Sequence, residues 1–211
     1  MLLGAAAFAT ASAFSLATLK EAFAQFGATP PGAMEMGRGD VGILNFAYAL
    51  EQLEAAFYTQ VLAAPYAGMD RFEMRVLKDV RDHEVAHVAF LRKALGANAI
   101  GAVPVNFSAV NFGSRGSVLK TAMTFEDVGV SAYNGAAQFL KNPNYLMAAG
   151  KIVSVEARHA AAIRDLLYPY STAFAGDDVV DNLGLDVSRS PGEVVPLVQP
   201  FIAVPLVPVQ G

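Results

Sequence analysis

The sequence contains no cysteine. That excludes a disulfide framework, a thiolate zinc site, an iron–sulfur cluster and a cysteine nucleophile, and it leaves any metal to histidine and carboxylate ligands. Charge is scarce too: Asp, Glu, Lys and Arg make up 16% of the 211 residues against 54% hydrophobic, with a formal net charge of −4. This balance offers no basic field to nucleic acid, and no block of like charge marks a solvated tail. Histidine occurs only three times. The length is enough for one domain with a sizeable core, plus extensions.

What the chain does have is apolar sequence at both ends. Residues 1–26 carry no charge before Lys20 and are rich in Ala, Leu and Phe. They read as the apolar part of an export signal with Ala22-Phe23-Ala24 as a small-x-small cleavage site, as a helix packing between subunits, or as a short membrane anchor. No Lys or Arg precedes this stretch, so the charged leader of an export signal is missing or lies upstream, and the Sec and twin-arginine routes stay equally open. On the export reading the protein is periplasmic, cell-surface or extracellular. Contact with a membrane is expected only if this segment is kept as an anchor.

Residues 27–39 form a Gly/Pro-rich linker, and Asp40 is a suitable N-cap for the first of four predicted helices. That helix runs from 40 to a stop near Pro65. The second spans 70–95 and ends at Gly96, the third 117–140, and the fourth 145–167 after a tight turn at Asn142-Pro143-Asn144. The stretch 96–116, rich in Gly, Asn and Ser, is a long connection. Helix, short turn, helix, long crossover, helix, short turn, helix is an all-α four-helix bundle over residues 40–168 with ferritin-like connectivity. Residues 169–211 are expected to be loop followed by an extended tail. Prolines at 196, 200, 205 and 208 should forbid a helix or a central strand there. Such an apolar tail should lie along its own bundle or a neighbour's.

The chemistry sits on the helices. In RDHEVAHVAF, Glu84 and His87 share one face of helix two with Leu77, Val80 and Leu91, because three residues turn a helix by about 300°. A carboxylate beside an imidazole on an apolar face is costly unless something pairs with them. The arrangement recurs in VEARHAA, with Glu156 and His159 on helix four. Helices one and three echo each other as well: Glu51 and Tyr58 in EQLEAAFY, and Glu126 and Tyr133 in EDVGVSAY. Each hairpin thus contributes one lone Glu and one Glu-x-x-His. Four carboxylates and two imidazoles in an apolar interior need cations, and oxygen and nitrogen donors without sulfur suit two iron or manganese ions, with zinc also acceptable.

These segments, with ILNFAYALEQLEAAFY, FEDVGVSAYNGAA and, more weakly, GLDVSRSPGEVVPLVQPFI, resemble the ferritin-like domain proteins related to desiccation-associated proteins. The resemblance covers about residues 40–202. It implies Glu51 and Glu126 as terminal ligands, one per metal, Glu84 and Glu156 as bridges, and His87 and His159 on one metal each. No catalytic residue beyond these ligands is expected. Glu54 competes with Glu51 for the same role, and the Glu-x6-Tyr echo favours Glu51, leaving Glu54 to face solvent or support the site. Tyr58 and Tyr133 are expected to donate hydrogen bonds to ligand carboxylates, whereas His83, about 100° from Glu84, should be a surface residue. Asp82 and Asp127 are candidate outer partners of the ligands, with solvation the expected fate of each.

Two functions follow as expectations. The first is oxidative or desiccation protection by reaction of a dinuclear iron or manganese site with peroxide or dioxygen, in ferroxidase, peroxidase or catalase-like chemistry. The second is a self-assembling filament or surface-layer subunit in which metal only rigidifies the bundle. Either way the expected partner is another copy of the chain, engaged through the N-terminal segment and the C-terminal tail.

Overall fold

The computed structural model describes residues 31–209. The segment 1–26, with its export, packing and anchor readings, and most of the first half of the linker lie outside the described residues. Helix α1 spans Gly39–Ala63, α2 Arg71–Leu95, α3 Arg115–Ala137 and α4 Pro143–Leu167. A single 3-10 turn, Gly96–Asn98, opens the long connection between α2 and α3. The architecture is an all-α bundle. Among the described residues no helix is long and apolar enough to cross a membrane.

Local chemistry accounts for the helix ends. Asp70 caps α2 by accepting from the amides of Phe72 and Glu73 at 2.7 and 2.8 Å, and Arg92 and Lys93 sit in the last turn, where the helix dipole favours cations. Asn142 caps α4, with Pro143 in the first turn, where its missing N–H costs nothing. Helix α3 begins two residues earlier than expected, behind Ser114. Asp40 is not the cap of α1. It lies inside the first turn, and its carboxylate accepts from the amides of Lys141 and Asn142 at 2.8 and 2.9 Å, tying the α3–α4 turn to the start of α1.

Burial follows the role of each helix. Helix α2 buries Glu73, Leu77, Val80, Glu84, Leu91 and Leu95, a seam with steps of three, four and seven residues along one side. Helix α1 is covered almost all round, and Phe46, Leu53, Phe57 and Tyr58 are among its fully buried side chains. Phe57 meets Phe125 of α3 edge-on, with centroids 5.2 Å apart. The α1–α2 hairpin and the α3–α4 hairpin thus close on a shared core that also includes Leu119 and Ile163.

The tail departs from expectation. Pro191–Val198 forms a short helix, α5, with Pro196 inside it. Pro191 occupies the first turn, and Glu193 accepts from the amide and the hydroxyl of Ser190 at 2.8 and 2.7 Å. The bond that Pro196 cannot make would run to the carbonyl of Gly192. Both residues are exposed, so the loss falls on the wet side of the helix. The opposite side buries Val194, Val195 and Val198 in the chain's own core. Phe201 then packs edge-on against Phe125 with centroids 4.8 Å apart. Strand β2 (Leu206–Val207) pairs in parallel with β1 (Met34–Glu35), joining the two ends of the described chain.

Candidate metal centre

All six ligand candidates point to one place in the middle of the bundle. Glu51 comes from α1, Glu84 and His87 from α2, Glu126 from α3, and Glu156 and His159 from α4. The four carboxylates are fully buried. They fall into two overlapping groups, Glu51, Glu84, His87 and Glu156 in one and Glu84, Glu126, Glu156 and His159 in the other, each with one donor atom per residue within 4.8 Å of the rest. Glu84 and Glu156 belong to both.

The two halves mirror each other in detail. Nδ1 of His87 lies 3.1 Å from Glu51, 3.4 Å from Glu84 and 3.0 Å from Glu156. Nδ1 of His159 lies 2.8 Å from Glu84, 3.4 Å from Glu126 and 3.5 Å from Glu156. The tyrosines cross over: Tyr58 of α1 donates to Glu126 of α3, and Tyr133 of α3 donates to Glu51 of α1. Each phenol therefore holds one oxygen of a carboxylate on the opposite hairpin. The seven-residue spacing explains this, since it puts Glu and Tyr two turns apart on nearly the same face.

Proximity here is not satisfaction. Both oxygens of Glu84, both of Glu156, Oε2 of Glu126 and Nδ1 of His159 are buried without an aligned hydrogen-bond partner. Native interiors leave only a few such atoms orphaned, scattered singly, and six facing one another call for a common partner. Hard oxygen donors and two imidazole nitrogens, without sulfur, fit divalent iron, manganese or zinc. The residues present therefore fit a pair of cations.

The crowding shifts the protonation of these groups. Burial, and then the charge of Glu156, pushes the Glu51 carboxyl well above the usual range. Burial drives Glu126 up to about 8. Burial also opposes ionisation of Glu84, yet the ring nitrogens of His159 and His87 outweigh it and hold this carboxyl at about 2. Both imidazoles lose by burial but gain more from the carboxylates around them, and reach about 12. The phenols of Tyr58 and Tyr133 rise well above normal through burial and the nearby carboxylates.

The neighbouring side chains divide: Glu54 is buried beside the site, Asp127 is paired rather than solvated, and Asp82 and His83 are exposed. Glu54 does not face solvent. It is buried, and burial with the charges of Glu156, Glu84, Glu126 and Glu51 raises its carboxyl well above normal. Gly129 makes room for it, since a Cβ there would stand 3.2 Å from Oε1 of Glu54. Glu54 belongs to neither four-residue group. Asp127 is not simply solvated: its carboxylate takes Nε and Nη2 of the buried Arg164 at 3.0 and 2.7 Å. Asp82, by contrast, is exposed and pairs with Lys78 and Arg81.

His83 is exposed, but it is not idle surface. Its Nδ1 lies 2.9 Å from Nε2 of His159, and the two rings are nearly parallel, at 9°. The available sequence signal was its spacing of four from His87, which puts it on the edge of the same seam where α4 approaches.

A family model described as a ferritin-like domain matches residues 39–169, the whole of the four helices. No curated protein matches the chain.

Proposed function

The chain belongs to the ferritin-like domain family, and from that premise we propose that it is a dinuclear metal protein acting on peroxide or dioxygen. Glu51 and His87 would hold one iron or manganese ion, Glu126 and His159 the other, and Glu84 and Glu156 would serve both. The observation that carries this reading is the set of six orphaned donor atoms on these side chains, within two groups that share Glu84 and Glu156. Two such ions supply redox chemistry toward peroxide or dioxygen when bound.

The chain's own residues do the rest. Tyr58 and Tyr133 fix Glu126 and Glu51 by one oxygen each and leave the other oxygen turned inward. Buried Glu54 adds a carboxyl beside the pocket, where its raised affinity for a proton lets it carry one without a net charge. Glu51, Glu84, Glu126 and Glu156 are sealed from water, while the His87 side chain keeps 12% of its surface open and marks the wetter side.

The test is metal content per chain by plasma mass spectrometry, on protein purified without chelator or added metal, beside a Glu84→Ala/His159→Ala double variant. About two iron or manganese ions per chain, lost in the variant, is the expected result. A wild-type protein that comes empty and also refuses added iron and manganese would overturn the proposal.

A further inference from the structure

We propose that His83 positions His159 for metal binding, and that it thereby makes the two metal positions of the proposed centre unequal. The inference rests on the dinuclear reading above. His159 presents Nδ1 to Glu84, Glu126 and Glu156 and turns Nε2 outward to Nδ1 of His83. An imidazole that offers the lone pair of Nδ1 to a cation must carry its proton on Nε2, and that N–H needs an acceptor. Nδ1 of His83 is that acceptor, 2.9 Å away. The contact fixes both the tautomer and the rotation of the His159 ring, which is how an outer partner of a ligating imidazole acts.

Among the described residues no imidazole plays this part for His87 in the other half of the centre. The chain contains three histidines, and His83 and His159 are used in this pair, so no imidazole is left to back His87. The rings of His87 and His159 stand 6.4 Å apart and tilted by 34°, too far and too oblique for the same contact. The symmetry set up by the repeated Glu-x-x-His is therefore broken at one residue. His83 is also exposed, so its substitution tests the site without opening the core.

The experiment is a manganese(II) titration of full-length, chelator-stripped protein, with free manganese followed by electron paramagnetic resonance. Wild type is compared with His83→Ala, His83→Phe and His83→Asn. Alanine removes ring and acceptor, phenylalanine keeps a ring without an acceptor, and asparagine places an oxygen near the position of Nδ1. The expected result is one binding step weakened about 10- to 100-fold in the alanine and phenylalanine variants, the size typical of losing an outer partner. The other step should be unmoved and the asparagine variant close to wild type. Thermal melts of the metal-free forms, expected to coincide, check that folding is intact. Wild-type affinities in the alanine or phenylalanine variant, or an equal loss at both steps, would overturn the role of His83 alone. A wild-type protein that binds no manganese would overturn the dinuclear reading and this inference with it.

Discussion

Arg164 shows how much a single buried charge can be asked to hold. It is 4% exposed, clasps Asp127 of α3 through two nitrogens, and reaches Asp178 in the following loop at 2.6 Å. Asp127 directly follows the candidate ligand Glu126, so this clasp steadies the α3–α4 contact beside the candidate metal centre. Arg164→Met should leave Asp127 half-buried and unpaired, while the exposed Asp178 returns to water. Stranding one member of a buried pair costs about 3 kcal/mol, to be read from urea unfolding at neutral pH. A loss well under 1 kcal/mol would mean that Asp127 rehydrates freely. The two Glu-x-x-His pairs were legible in the sequence, because a carboxylate and an imidazole on an apolar seam are expensive and the chain repeats them. The pairings of Asp127 and His83 were not, and for Glu54 the sequence left solvent and site both open, for a reason of the same kind in each case. Their fates depend on what the neighbouring helix brings up: Arg164 for Asp127, the missing Cβ of Gly129 for Glu54, and His159 for His83.

Helices α1 to α4 could be placed from the sequence to within a few residues, because period, caps and proline positions are local properties. The tail helix α5 could not. Whether Pro196 breaks a helix depends on which side of it is wet, and that is decided by the core in which Val194, Val195 and Val198 are buried. Gly135 lets the segment before α5 approach α3 closely. A Cβ there would stand 1.9 Å from the carbonyl oxygen of Arg189, whose amide donates to Ser131 at 2.9 Å. Gly135→Ala gains about 1 kcal/mol of helix propensity, but it collides with backbone that cannot step aside without losing that hydrogen bond. The collision should win, with a net loss of about 1–3 kcal/mol. Gly150→Ala is the matched control, on the exposed side of α4 with nothing within 4 Å of the added Cβ. It should stabilise the protein by about 0.5–1 kcal/mol. Thermal melts of the two variants should move in opposite directions, and a stabilised Gly135→Ala would show that residues 186–190 do not press on α3 as described.

For the whole molecule, the buried cluster of carboxylates and imidazoles makes stability depend on pH in two opposite ways. In the metal-free protein Glu126 binds its proton up to about pH 8 rather than the ordinary 4.5. A raised carboxyl contributes stability below its unfolded value and loses it as pH climbs through the folded one. His87 and His159, raised from 6.5 to about 12, act in the same direction: their contribution is full below 6.5 and drains away above it. Glu84, held at about 2, contributes above 4.5 and loses that contribution only as pH falls toward 2. Between about pH 5 and 8, therefore, the metal-free protein should become less stable as pH rises. Cations bound as proposed would reverse the slope, because they would occupy the same lone pairs as these protons and bind more tightly once the protons leave. Binding to the folded chain alone adds about 2.7 kcal/mol when free ion exceeds Kd 100-fold, which for a chain of this size moves Tm upward by roughly 5–10 °C. The gap between loaded and stripped protein should thus be narrow at pH 5 and widen toward pH 8. Thermal melts at pH 5, 6.5 and 8, with chelator and with saturating manganese, read both slopes directly. Parallel curves would mean that protons and cations do not compete at Glu126, His87 and His159, and that the buried carboxylates are held together by something other than metal.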